Sequence, residues 1–167
     1  MAGRIAFVYP SLTNELYESA LLYSPLALAY MGAYTPDDWK KDMYDEYVDN
    51  WIDPSELKAD LVAMSAFTPN MRRAYYLADK FRERGIKTVC GGAHVSALPD
   101  EALEHFDSVV IGEGEPVWPQ LIQDFEQGKL KPVYDGGVSV PIHDIKLPDR
   151  DLVHPAYHYP SFITSKG

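Results

Sequence analysis

Two glycine-bearing segments stand where an α/β chain holds ligands. Gly91-Gly92 follows the apolar run Val89-Cys90, and Gly112-Glu113-Gly114-Glu115 follows Val109-Val110-Ile111. Glycine lets a bulky ligand approach the backbone, and free amides ahead of a helix can hold its polar groups. Two further segments end apolar runs in the same way, Pro10–Thr13 and Ser65–Asn70. The candidate contacts are Ser11 and Leu12; Ser65, Phe67 and Thr68; Gly91, Gly92, His94 and Val95; and Gly112, Glu113, Gly114 and Glu115. A plainer account gives these glycines to turns and Glu115 to a helix start, where the dipole favours negative charge. Two glycine-pair loops on neighbouring strands favour a ligand over that account.

The same residues exclude several chemistries. Gly112-x-Gly114 is not a dinucleotide fingerprint, because the sixth position is Val117 and the loop belongs to the last strand–helix unit. Glu113 and Glu115 also repel a pyrophosphate. Ser11-x-Thr13 resembles a flavodoxin phosphate loop, but Asn14 stands where a glycine is expected. A flavin site remains an alternative on that ground. A phosphoacceptor site needs an acidic residue ending an inner strand and a lysine on the last, and Tyr9 and Ile111 supply neither. Of five histidines only His94 falls on a ligand-facing strand end, with a hydrogen-bonding role expected. His154 and His158 have Pro155 between them and read as linker residues. The single cysteine, Cys90, excludes an internal disulfide, a CxxC zinc site and a complete cysteine-held iron–sulfur cluster. It reads as a small buried hydrophobe. No catalytic residue and no metal-ligand set is assigned.

These loops need strands and helices to position them. Arg4–Tyr9 is the first strand, stopped by Pro10. Ser24-Pro25 opens a helix through Ala33. A charged edge strand is expected within Trp39–Glu46, and a buried strand over Asp60–Phe67. Thr68 is expected to cap a helix whose buried face is Met71, Ala74, Tyr75, Ala78 and Phe81, ending at Gly85. Ile86–Cys90 is a strand followed by a short helix near Pro99–Glu104. Ser108–Ile111 is a strand followed by a helix with Trp118, Leu121, Ile122 and Phe125 on one face. Strand–helix–strand order with short connections forces parallel pairing. The fold class is α/β, a Rossmann-like (flavodoxin-like) doubly wound parallel sheet of five strands. Residues 1–135 form the ligand-binding domain. Residues 136–167, proline-rich and without an amphipathic helix, read as a partly docked linker.

The chain has 167 residues and 46% hydrophobic residues, enough for one domain with its own core. A net charge of −10 opposes binding to nucleic-acid backbones. No apolar run approaches a membrane span and no secretory leader is present, so a cytoplasmic protein is expected.

The order Ser24-Pro25-Leu26-Ala27-Leu28-Ala29-Tyr30, Asp45-Glu46, Asp60–Ser65, Gly91-Gly92-Ala93-His94 and Val110-Ile111-Gly112-Glu113-Gly114-Glu115 resembles the N-terminal cobalamin-binding domain of class B radical SAM enzymes. Leu147–Leu152 and Ile163-Thr164-Ser165-Lys166-Gly167 resemble the run-up to the radical SAM barrel of that family. The resemblance implies that the thirteen candidate contacts named above hold cobalamin with its nucleotide tail run into the sheet edge. It implies a [4Fe–4S] cluster and S-adenosylmethionine in a C-terminal domain beyond Gly167, which is the expected partner. The parent would be similar to methyltransferases or anaerobic tetrapyrrole cyclases, and the fragment itself inactive. Better-known cobalamin domains carry Asp-x-His-x-x-Gly after the first strand; Pro10–Glu15 has no histidine, so the cobalt has no imidazole from this loop. A cofactor-free structural or recognition module of the same fold is the rival reading.

Overall fold

The structure, a computed structural model, describes residues 3–13, 24–137 and 142–157. Expectations for Asn14, His158 and the segment from Phe162 to Gly167 lie outside them. Six strands form one sheet: β1 (Arg4–Tyr9), β2 (Lys40–Asp45), β3 (Leu61–Ser65), β4 (Lys87–Gly91), β5 (Ser108–Ile111) and β6 (Val133–Asp135). Their order is β2-β1-β3-β4-β5-β6, and every neighbouring pair is parallel. The first five follow the flavodoxin-like order, with the chain reversing direction across the sheet between β1 and β3.

The expectation of five strands is corrected by β6. Only Tyr134 of its three residues is buried, so it carries no alternating signal. The backbone nevertheless continues the ladder, Val109 N–H donating to Pro132 O at 2.8 Å and Gly136 N–H to Ile111 O at 3.0 Å.

Alternation along the strands builds two cores. Ile5, Phe7, Leu61, Ala63, Val89 and Val110 face α1 (Leu26–Tyr34) and α5 (Trp118–Glu126). Ala6, Val8, Val62, Met64, Cys90 and Val109 face α2 (Met71–Glu83), α3 (Ala93–Ala97) and α4 (Pro99–His105). Such two-sided burial is why these strands read as continuous apolar runs. In α2 the buried residues are Met71, Ala74, Leu77, Ala78 and Phe81. Leu77 thus takes the place expected for Tyr75, whose ring stacks on His105 at 4.1 Å on the helix flank. Thr68 does not cap α2: Thr68–Asn70 is a single 3-10 turn, and α2 begins after it. The one short helix expected after β4 is two, parted at Leu98, which precedes Pro99 and has ψ of 61°.

Helix α1 carries no charge and is buried on most sides. An all-round apolar helix needs cover on its outer side too. The segment 142–157 supplies it. Asp149 N–H donates to Ala29 O at 2.9 Å, and Lys41 Nζ pairs with the Asp149 carboxylate at 3.2 Å. Leu152 lies so close over Gly32 that a Cβ there would be 2.4 Å from Leu152 Cδ1. Among the described residues, no helix is long and apolar enough to cross a membrane.

Candidate functional site: a slot under the glycine loops

The carboxyl ends of β3, β4 and β5 open into a slot of about 170 Å³. Its floor is Ala63, Met64 and Ser65 of β3, Val89 and Gly91 of β4, Gly92 just beyond, and Val110 of β5. Helix α1 roofs it with Ala27, Leu28, Tyr30 and Met31. The loop Gly112–Glu115 and Trp118 close the far side.

Each wall is fixed by its own bonds. Trp118 Nε1–H donates to Thr35 Oγ1 at 2.9 Å, and Thr35 Oγ1 donates to Met31 O at 2.8 Å, so the indole and the roof are tied together. The Gly112 N–H donates to Ser96 Oγ at 3.0 Å, and Glu113 N–H to Gly137 O at 3.0 Å. The loop after β6 packs backbone to backbone on this loop: a Cβ on Gly112 would lie 1.9 Å from Gly137 O, and one on Gly136 would lie 1.6 Å from Glu113 O. Glycine is required at those positions by chain against chain. Gly92 has φ of +116°, and a Cβ there would be 2.6 Å from Ala66 O. Its glycine therefore answers to the backbone, where a rim role for the ligand was the sequence-based expectation.

The structure gathers seven candidate residues around the slot: Ser65, Gly91, Gly92, Gly112, Glu113, Gly114 and Glu115. Glu115 is buried, in the turn that leads into α5. The others lie elsewhere. Val95 is fully buried in the core beneath α2 and α4. His94 does not border the slot. Its Nδ1 lies 3.1 Å from Thr68 Oγ1 and its Nε2 3.4 Å from the Tyr75 hydroxyl, which donates to Glu101 at 2.8 Å. Phe67 is half exposed on the loop after β3. The buried Cys90 thiol has its pKa pushed up by desolvation, which makes it inert.

Ser11 and Leu12 line a second, more open hollow with Trp51, Asn70, Arg73 and Tyr76. Its hub is Glu46, whose side chain is fully buried. Its carboxylate accepts from Arg73 Nη2 at 2.6 Å, Ile52 N–H at 2.9 Å and Ser11 N–H at 3.2 Å. Asn70 joins the two loops of the switch point, accepting from Phe67 N–H at 2.7 Å and donating to Pro10 O at 2.7 Å. Sequence reasoning gave Glu46, Arg73 and Asn70 no role. A lone glutamate after a charged strand could not reveal that its partner lies 27 residues away. Among the described residues, no group of three or more His, Cys, Asp or Glu is arranged to hold a metal ion.

The family model "B12 binding domain" matches residues 18–122. The chain is 34% identical over 120 residues to the bacteriochlorophyllide d C-8(2)-methyltransferase of Chlorobaculum tepidum, covering 72% of this chain and 26% of that protein. It is 31% identical over 139 residues to the C-12(1)-methyltransferase of the same organism, covering 83% of this chain and 30% of the relative. The anaerobic magnesium-protoporphyrin IX monomethyl ester cyclase of Rubrivivax gelatinosus is 29% identical over 142 residues, covering 76% of this chain and 25% of the cyclase. The chain thus spans between a quarter and a third of the length of these relatives. Among solved structures, the cobalamin-dependent S-adenosylmethionine radical enzyme OxsB with aqua-cobalamin bound shares the fold, with a TM-score of 0.58 and 18% identity. That match covers 78% of this chain and 19% of OxsB.

Proposed function

The chain belongs to the B12-binding domain family, and on that premise we propose that it seats cobalamin at the carboxyl edge of the sheet, with the nucleotide arm in the slot and the corrin over the loops around it. The observation that carries this reading is the slot's size and lining. A volume of about 170 Å³ is well below the ~300–1,000 Å³ of sites that enclose a whole ligand. It suits one flat arm of a larger molecule whose bulk stays outside. The floor is apolar strand side chains, and glycines at 91, 112 and 114 bring backbone close to the entrance. In this reading Ser65, Gly91, Gly92 and the segment Gly112–Glu115 are the arm's contacts. Ser11, Leu12, Phe67 and Thr68 lie on the loops that flank the corrin face, and His94 and Val95 support the loop after β4 from behind.

When bound, cobalamin supplies cobalt-centred chemistry that side chains lack. This chain's residues bind and orient it. The parent protein would be a radical SAM methyltransferase or an anaerobic cyclase of tetrapyrrole synthesis, a reading supported by relatives named as bacteriochlorophyllide d methyltransferases and as an anaerobic cyclase. In it a C-terminal domain would hold the [4Fe–4S] cluster and S-adenosylmethionine and be this domain's partner. Residues 136–167 would lead toward that domain. The protein would work in the cytoplasm, where a lone buried thiol stays reduced.

The test is a visible-spectrum titration with hydroxocobalamin. Saturable spectral change at micromolar protein supports the reading. An unchanged spectrum at high micromolar concentration defeats it and leaves the cofactor-free module; a response to FMN instead would favour a flavin site.

A further inference from the structure

We propose that the slot selects the lower base of its cobamide, taking an apolar benzimidazole-type base in preference to a purine, with Val89 and Val110 as the selecting residues. This rests on the reading of the slot as the nucleotide-arm site. The inner walls are built from Ala63, Val89 and Val110 on three adjacent strands, Met31 on the roof and Trp118 at the side, while Ser65, Tyr30, Glu113 and Glu115 are the polar side chains of the lining. The four aliphatic walls offer no hydrogen-bonding group. Backbone groups at the floor are engaged in the sheet, where Ala63 pairs with Val89 and Val110 with Tyr134. The indole N–H of Trp118 is already given to Thr35.

A dimethylbenzimidazole presents methyl groups and ring carbons to such walls. Adenine presents an exocyclic amine and three ring nitrogens around its edge. Burying those against valine and alanine strips their water without replacement. Discrimination of this kind, a polar edge refused by an apolar pocket, typically reaches one to two orders of magnitude.

The experiment measures affinity by equilibrium dialysis for three probes that share one corrin: cobalamin, the adeninyl cobamide, and cobinamide, which has no nucleotide. Wild-type protein should bind cobalamin at least ~10-fold more tightly than the adeninyl form, with cobinamide weaker than cobalamin. Val110→Thr places a hydroxyl on the floor at nearly constant volume. It should shift the cobalamin-to-adeninyl ratio several-fold toward the purine, with thermal melts checking that the variant is folded. The change in ratio between the two proteins cancels whatever distinguishes the free cobamides. Equal affinity for cobalamin and the adeninyl form, both above cobinamide, overturns base selection while leaving the arm in the slot. An unchanged ratio in folded Val110→Thr overturns the assignment to Val110. Cobinamide binding as tightly as cobalamin removes the arm from the slot, and with it the selection. No binding of any probe defeats the proposed function itself.

Discussion

The Tyr157 hydroxyl donates to Asp45 Oδ2 at 2.5 Å, fastening the end of the 142–157 segment to the last residue of the edge strand β2. The segment starts beside the C-terminal end of α1, where Lys146 N–H donates to the Tyr34 hydroxyl at 3.0 Å. It finishes at the carboxyl edge of the sheet, the side on which the slot opens. A stretch whose regular structure is two 3-10 turns, Ile142–Asp144 and Arg150–Leu152, thus has two fixed ends and a defined course across α1.

The burial of Asp45 beneath this contact makes stability pH-dependent. Burial raises the Asp45 carboxyl from the ordinary 3.8 to about 6, opposed by the Tyr157 hydrogen bond, the Tyr47 amide and the nearby His154, and reinforced by Asp49. The folded protein therefore holds this proton more tightly than the unfolded chain. The stabilising contribution is complete below the unfolded value and is lost as pH rises through about 6. Urea unfolding between pH 4 and 8 should show a decline on the order of 2–3 kcal/mol that Asp45→Asn lacks. Tyr157→Phe removes a bond that favours the charged form, so the decline should move to higher pH. Identical pH slopes for wild type and Asp45→Asn would contradict the account.

Gly92→Ala should destabilise the protein by more than ~1 kcal/mol, because it combines a positive φ with a close approach to Ala66 O. Chemical denaturation measures it. A stability equal to wild type would mean that the loop after β4 adjusts freely.

Glu46 and Arg73 should behave as a unit. The Glu46 carboxylate is fully buried, and the Arg73 guanidinium lies 4.1 Å from the Trp51 ring centroid. Glu46→Ala leaves two backbone N–H groups without their acceptor and the guanidinium with only the Ile52 carbonyl, and should cost ~3–5 kcal/mol. In a double-mutant cycle with Arg73→Met the losses should be far from additive. Additive losses would show that the pair is not coupled.

Much of this fold is legible in the residues, and the exceptions share a physical origin. Ser108–Ile111 has both faces covered, so its apolar run marks a strand without reference to neighbours. Gly85, with φ of +75°, ends α2 for a local reason that a sequence displays. Strand β6 gives no such mark, because a short edge strand buries one side chain and is defined by backbone pairing. The cover over α1 is equally silent: Asp149, Leu152 and Tyr157 have no common period and act at separate points. The candidate site was legible as loops and less so as side chains. The glycine loops come together at the slot, but its roof and side, Tyr30, Met31 and Trp118, lie on helix faces that read simply as core. His94 was drawn to the site by its place after Gly-Gly; the chain turns it away into the Thr68 and Tyr75 network.

Slot and histidine should separate in binding. Gly114 has a backbone that accepts a side chain, and a Cβ there would press on Met31 Sδ at 2.9 Å. Gly114→Leu should fill the slot and weaken cobalamin at least ~10-fold with the fold retained. His94→Gln should change affinity less than ~3-fold, a difference below about 0.7 kcal/mol. The reverse order, measured by spectral titration with thermal melts alongside, would place the ligand on the other side of the sheet.

The most direct measurement is a crystal structure of this chain with cobalamin bound. The account predicts the lower base lying in the slot, with Val89 and Val110 on the floor, Met31 above and Trp118 at the side. A base found in the hollow by Ser11 and Trp51, or still bonded to cobalt outside the protein, would contradict it.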